Sequence, residues 1–364
     1  MPSSSASALG RLLSIQPTKP NPPNANPRYT ASDSPRSIGS GSCGRIYAAD
    51  DSCVALKVAH SPSTPGQLWN DYVMHTHIWE AAQKLQLDEV RVPQPRFYVP
   101  GDENAAWWQR HAHTFAVHND PSEHFAEARP AAVDDWYDPY RKQTMKRPGN
   151  RDCLVRVYLG SRRQSAKRSE RFFSLRNLKL HLNQMEELGM DAEVLAAQVA
   201  GALATMHWKA RVDGRGVEFV LGSVPPGMAR LKPLTAAELE GLEPGSDTER
   251  LVQKRAAVCL WLLDFDQCGN MSMDDKGVER AVEAFCGNEP YYPRPVVVVV
   301  DGEDGGDGKD ARLWKGFRAR YLEISDRILS GTALPRYLPR LMLESIEAHY
   351  REEARLRSAE AEIR

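Results

Sequence analysis

The sequence predicts an α+β fold of two lobes, a small β-rich N-terminal lobe and a larger, mainly helical C-terminal lobe, with insertions. Three observations carry this. A glycine-rich turn, Ile38-Gly39-Ser40-Gly41-Ser42-Cys43-Gly44-Arg45-Ile46-Tyr47, precedes the strand-like Val54-Ala55-Leu56-Lys57-Val58, with Lys57 thirteen positions after Gly44. An apolar run from Val258 to Leu263 delivers Asp264-Phe265-Asp266-Gln267-Cys268. Elsewhere the longer apolar patterns recur at helical spacing.

Residues 1–35 are rich in Ser, Pro, Ala and Asn and carry Arg11, Lys19 and Arg28 with no acid before Asp33. They read as a disordered tail, with a transit peptide as the alternative. In the turn that follows, Gly39, Gly41 and Gly44 lack a Cβ, so backbone N–H groups can approach an anionic ligand. Lys57, flanked by Val54, Leu56 and Val58, adds a fixed positive charge to the same cleft; a strand lysine can instead snorkel to solvent. From Gln67 to Leu87 the residues Leu68, Trp69, Tyr72, Val73, Ile78, Trp79 and Leu85 predict a helix. That helix offers Asp71 and Glu80 as acidic partners for Lys57, and the pattern does not choose between them.

Residues 92–150 are rich in Pro, Trp and His and read as a strand over Arg96–Val99 followed by an insertion at about 101–150. Cys153 to Gly160 alternates and ends in glycine, as a strand leading into a hinge does, which divides the chain into lobes at 36–159 and 160–364. Helices are expected over Phe172–Leu188 and Ala192–Trp208. Residues 224–248 read as a loop, Val296–Val300 as a short buried strand, Asp301–Asp310 as an acidic glycine-rich loop, and 312–364 as a closing helical region.

Composition limits the function classes. The 364 residues are 41% hydrophobic and carry a net charge of −1, with no apolar run long enough to span a bilayer. Nucleic-acid binding therefore requires a local basic patch. The six cysteines form no CxxC pair, which argues against a zinc finger, and the lack of a secretory apolar region suggests a reducing, cytoplasmic setting in which the thiols stay free. Neither a membrane nor DNA is an expected partner.

The glycine-rich turn and the lysine strand stand in the order and spacing that open a protein-kinase-like fold. Asp264 occupies the place of that fold's metal-binding aspartate, and Asp266 adds a second carboxylate able to hold magnesium or position a base. The resemblance fails at the catalytic loop. Met206 to Gly222 contains no HRD or HGD and no asparagine five residues on, although His207 and Glu218 are placed to enter the cleft. Arg162, Arg163, Lys167, Arg168, Arg171, Arg176 and Lys179 surround Phe172 and Phe173, and Arg141, Lys142, Lys146 and Arg147 form a second basic cluster. Cations interleaved with aromatics suit phosphates and unstacked bases, whereas the plain alternative is a solvated helix face.

The segments GSGSCGRIY, VALK, MHW…VEFVLG, LLDFDQC and GNEPYYPRP together resemble a family of fungal proteins once labelled zinc-finger domains of unknown function, which includes the fungal arginine-containing cyclodipeptide synthases. The resemblance runs from about Ser37 to the last helix. It implies an enzyme that joins arginine from arginyl-tRNA to a residue from a second aminoacyl-tRNA and cyclises the pair, with no cofactor, since the aminoacyl ester is already activated. It implies catalytic roles for Lys57, His207, Glu218, Asp264 and Asp266, substrate binding by Gly39, Gly41, Gly44 and Glu80, and tRNA binding by Arg162, Arg163, Lys167, Arg168 and Arg171. The DDxxE acid pattern of that family has no close counterpart, since Asp274-Asp275 is followed by Glu279 one residue late. The alternatives are an atypical phosphotransferase using ATP and magnesium, and a silent pseudokinase scaffold. Ser40, Ser42 and Cys43 are conceivable nucleophiles.

Overall fold

A computed structural model describes residues 36–41, 43–48, 54–60, 65–100, 106, 154–163, 177–223, 234, 236–248, 258–296 and 308–363. The tail at 1–35, nearly all of the insertion, Ser42, Lys167, Arg168, Arg171 and the run 297–300 lie outside them.

Alternating side chains and a glycine-rich turn produce the first sheet, an antiparallel meander of β1 (Arg36–Ser40), β2 (Gly44–Ala48) and β3 (Ala55–Ala59). Gly44 lies opposite Ala59, and Ile46 lies opposite Lys57. A Cβ at Gly44 would stand 2.7 Å from the Val58 carbonyl oxygen, so the close pairing of these two strands requires glycine there. The expected helix follows as α1 (Pro65–Leu85), with Met74, Ile78, Ala81 and Ala82 on its buried face.

The second sheet is mixed, in the order β4-β8-β7-β5-β6, built from β4 (Val90–Arg91), β5 (Val155–Tyr158), β6 (Leu178–His181), β7 (Glu218–Ser223) and β8 (Val258–Leu263). Two expectations change here. The strand expected to close the small lobe, β5, instead lies between β6 and β7, with Val155 and Val157 buried. Of the helix expected over Phe172–Leu188, residues 172–176 lie outside the described residues, and the rest holds strand β6 and then only α2 (Leu182–Glu187), because Leu178 and Leu180 alternate with Lys179 and His181 at the period of a strand. Residues 92–100, which include the strand expected over Arg96–Val99, have no regular structure.

The remaining helices are α3 (Ala192–Ala204), α4 (Ala236–Glu240), α5 (Asp275–Gly287), α6 (Lys309–Leu329) and α7 (Leu338–Ile363). Asp191 caps α3 by accepting from the Val194 N–H, and Asp274 caps α5 by accepting from the Gly277 N–H. Helix α6 packs on α3, and α5 packs on α7. An aromatic ladder of Trp314, Phe317 and Tyr321 runs along α6, and Phe285 stacks on Tyr292 with centroids 4.4 Å apart. Helix α3 continues into a π-helical turn, Thr205–Ala210, which ends at Arg211 in the left-handed region with φ 59°. The architecture is α+β. Among the described residues no helix is long and apolar enough to cross a membrane.

Candidate functional site

Lys57 is the centre of the site. It leaves β3 toward α1, and its Nζ donates to Asp71 at 2.7 Å and to Asp264 at 2.9 Å. Helix phase explains the choice of Asp71. At about 100° per residue, Asp71 and Glu80 project from nearly opposite sides of α1. Glu80 is the one turned away from Lys57: it pairs with Lys84 one turn on, at an exposed position.

Asp264 stands at the exit of β8 with φ 63°, in the left-handed region that a non-glycine residue enters only when its surroundings hold it there. Those surroundings come from α1. The Asp71 carboxylate accepts the Phe265 N–H at 3.1 Å, and Asn70 donates to the carbonyls of Asp266 and Cys268. The His75 ring lies 4.7 Å from that of Phe265. Burial opposes the Lys57 charge, but Asp71 and then Asp264 more than offset it and hold the ammonium charged, well above the ordinary lysine range. Burial pushes the Asp264 carboxyl above its usual value, against the pull of Lys57, because one ammonium serves two carboxylates.

The glycine-rich hairpin closes on the same loop. Cys43, at its tip, is buried and lies within hydrogen-bonding reach of Asp266, which is itself buried. Burial and that carboxylate push the Cys43 thiol up to about 11, which disfavours the nucleophilic thiolate. Gly41 closes the turn by donating its N–H to the Gly44 carbonyl at 2.9 Å. Gly39 packs beside Ile46 on the neighbouring strand.

Glu218 opens β7 directly opposite Leu263, so its carboxylate and that of Asp264 share one end of the sheet. Arg156 Nη2 donates to Glu218 at 2.6 Å. Burial raises the Glu218 pKa, Arg156 opposes the rise, and the Asp264 charge adds to it. The result is a half-buried carboxyl whose pKa is raised from the ordinary glutamate value, the direction that makes it a better proton acceptor when ionised.

His207 does not enter the cleft. It is 1% exposed in the π-helical turn, with Nδ1 2.8 Å from the Tyr321 hydroxyl, and burial lowers its pKa to about 4. The reason is geometric: the π turn aims it at α6, and it becomes part of the aromatic core. Asp213, the one aspartate in the Met206–Gly222 stretch, is equally committed. It is 3% exposed, accepts the N–H groups of Arg215 and Gly269, and pairs with Arg280.

Of the basic residues, Arg162 is taken up within the fold: its guanidinium bridges Glu186 and Asp310. Arg163 holds Asn183 through two backbone hydrogen bonds. Lys167, Arg168 and Arg171 fall outside the described residues. Asp274 and Asp275 are structural, the first capping α5 and the second accepting from Tyr337. Among the described residues no group of three His, Cys, Asp or Glu side chains could hold a metal ion. Sequence reasoning missed Arg156, Asn70 and His75; nothing in a strand arginine or a helix asparagine marks it as belonging to a site until the topology brings it there.

A family model described as DUF3669, zinc finger protein, matches residues 260–333. That stretch spans most of β8, the Asp264–Cys268 loop, α5 and α6. No curated protein matches the chain, and no solved structure does.

Proposed function

We propose that the chain is a tRNA-dependent cyclodipeptide synthase that forms an arginine-containing diketopiperazine in a protein-kinase-like two-lobe fold. The single observation that carries the reading is the division of labour around Lys57. The lysine, its helix acid and the strand-exit acid resemble a kinase cleft, while the catalytic-loop stretch commits Asp213 and His207 to packing, so a kinase's catalytic-loop aspartate has no counterpart there. The base that the cleft does offer is Glu218, with a raised pKa beside Asp264.

Acyl transfer from an ester needs that kind of group. The attacking α-amine must lose its proton before its nitrogen can bond to the ester carbonyl, and the bond to the ribose oxygen then breaks with proton delivery to the leaving alkoxide. Glu218 takes the ammonium proton. Lys57 fixes Asp264 against the incoming amine, and the carboxylates of this end of the sheet match a guanidinium, as the Glu218–Arg156 pair already does within the chain. The family match covers two of the five segments that carry the resemblance, LLDFDQC and GNEPYYPRP.

Phosphoryl transfer is the second reading, favoured by Lys57 standing between Asp71 and Asp264 under a glycine-rich hairpin. The two separate cleanly. Mixing the purified chain with charged tRNA should release a cyclic dipeptide containing arginine, seen by mass spectrometry and independent of added ATP. A magnesium-dependent thermal shift with ATP that Lys57→Ala abolishes, with no cyclic dipeptide, would favour the phosphotransferase.

A further inference from the structure

We propose that Trp69, Tyr72 and Tyr98 form a stacking platform for the unpaired bases at the 3′ end of tRNA, extended by Phe97 and Arg96. The proposal rests on the synthase reading for the identity of the RNA. Its physical basis is separate: an aromatic cluster on α1 that the Lys57 site leaves unused.

The rings form one group at the surface. Trp69 meets Tyr98 edge-on with centroids 5.1 Å apart, and the Tyr72 centroid lies 6.0 Å from that of Trp69 and 6.1 Å from that of Tyr98. The aromatic ladder of α6 is buried, whereas Trp69 is 52% exposed and Phe97, next to Tyr98 in the chain, is 57% exposed. Single exposed apolar side chains need no explanation, but a contiguous set does. The strongly exposed aromatic side chains among the described residues are Trp69, Phe97 and Tyr337, and two of them belong here.

Charge complements the rings. Residues Val90 to Val99 carry Arg91 and Arg96 and no acid, and Arg96 is exposed with no carboxylate partner among the described residues. On the helix side, the acid between Trp69 and Tyr72 is Asp71, which is already bound to Lys57. A cation beside exposed rings suits a single-stranded nucleic acid, because every base offers a π face and every linkage a phosphate.

Place selects RNA over a protein partner. The helix that carries Trp69 and Tyr72 also holds Lys57 through Asp71 and the Asp264 loop through Asn70. His75 of the same helix donates from Nε2 to the Pro93 carbonyl at 2.7 Å and lays its ring 4.7 Å from Phe265, so the segment bearing Tyr98 is tied to that loop as well. At about 100° per residue, Tyr72 stands about 100° and Trp69 about 160° around α1 from Asp71. The platform therefore lines the flank and outer side of a helix whose inner side holds the site. Only the width of α1, about 10–12 Å, separates the two. About three or four nucleotides cover that distance even at the stacked spacing of about 3.4 Å. The terminal ribose, which carries the ester, can thus reach Lys57 while bases upstream of it rest on the rings.

A cycle of protein and RNA changes tests the platform without aminoacylation. Fluorescence anisotropy measures binding of an uncharged arginine tRNA transcript, and of the same transcript lacking its unpaired 3′ nucleotides, to the full chain and to Trp69→Leu, which keeps apolar bulk but no ring. Truncating the RNA should weaken binding to the unaltered chain about 10-fold and leave binding to Trp69→Leu within about twofold. Trp69→Phe, which keeps a ring, should retain most of the truncation penalty. The slope of log affinity against log salt should stay unchanged in Trp69→Leu and fall by about 0.7 in Arg96→Gln. The same truncation penalty in Trp69→Leu as in the unaltered chain, or no penalty or no tRNA binding in the unaltered chain, would overturn the platform. A penalty that depends on Trp69, in a chain that makes no cyclic dipeptide from charged tRNA, would leave the platform standing and sink the synthase reading. Cyclic dipeptide formed by a chain whose penalty ignores Trp69 would do the reverse.

Discussion

Lys57 and Asp264 are 207 positions apart in the chain and 2.9 Å apart in space. Their ion pair joins the first sheet to the second, and Asp71 completes it from α1. Removing the lysine leaves two half-buried carboxylates facing each other with no cation between them. Lys57→Met is therefore expected to lower unfolding free energy by about 1–3 kcal/mol in urea titration, with product formation abolished. Lys57→Arg should recover most of the stability, because it keeps the charge.

The carboxyl of Glu218 should set the acid limb of the pH–rate profile. Rate falls as pH drops through its pKa, since only the ionised form accepts a proton. Burial raises that pKa and Arg156 lowers it. Arg156→Gln removes the lowering influence, so the limb should move to higher pH, read as kcat/KM against pH. A limb that stays in place or moves down would remove Glu218 from the base role.

Packing of His207 makes a stability prediction free of any assumption about catalysis. Its pKa falls from 6.5 to about 4 on folding, so between those values the unfolded chain binds more protons and stability rises with pH. The contribution is complete above 6.5 and is lost as pH falls toward about 4. Integrated, it amounts to about 3 kcal/mol. His207→Gln should flatten the stability profile across that window, measured by chemical denaturation at stepped pH.

Pairing of Arg162 with Glu186 and Asp310 separates it from the rest of the basic stretch. Arg162→Ala should leave tRNA affinity nearly unchanged in a salt titration. Charge removal at Lys167, Arg168 and Arg171 together should weaken binding and reduce the slope of log affinity against log salt by about 0.7–0.9 for each phosphate no longer neutralised.

How far the sequence leads differs from residue to residue. Gly39, Gly41, Gly44 and Lys57 are legible because a turn needing no Cβ and a strand lysine leave a local signature. Helix α1, expected over Gln67–Leu87, runs from Pro65 to Leu85. The choice of Asp71 over Glu80 is not legible, since helical phase shows only that the two acids face apart; which side meets β3 is a tertiary fact. That α3 ends in a π turn carrying His207 against Tyr321 leaves no local mark in the sequence. Strand β6 is hidden by its length of four residues and by the helix that follows at once. Arg156 depends on strand order, which no local pattern encodes.

The most direct test uses arginyl-tRNA charged beforehand and freed of ATP, mixed with a second aminoacyl-tRNA and the purified chain, beside the same mixture with Asp264→Asn. A synthase working through this cleft gives a cyclic dipeptide containing arginine from the unaltered chain, and at least about a 10²-fold drop in its rate from the variant. Intact charged tRNA with no cyclic dipeptide, or equal yields from both proteins, would contradict it.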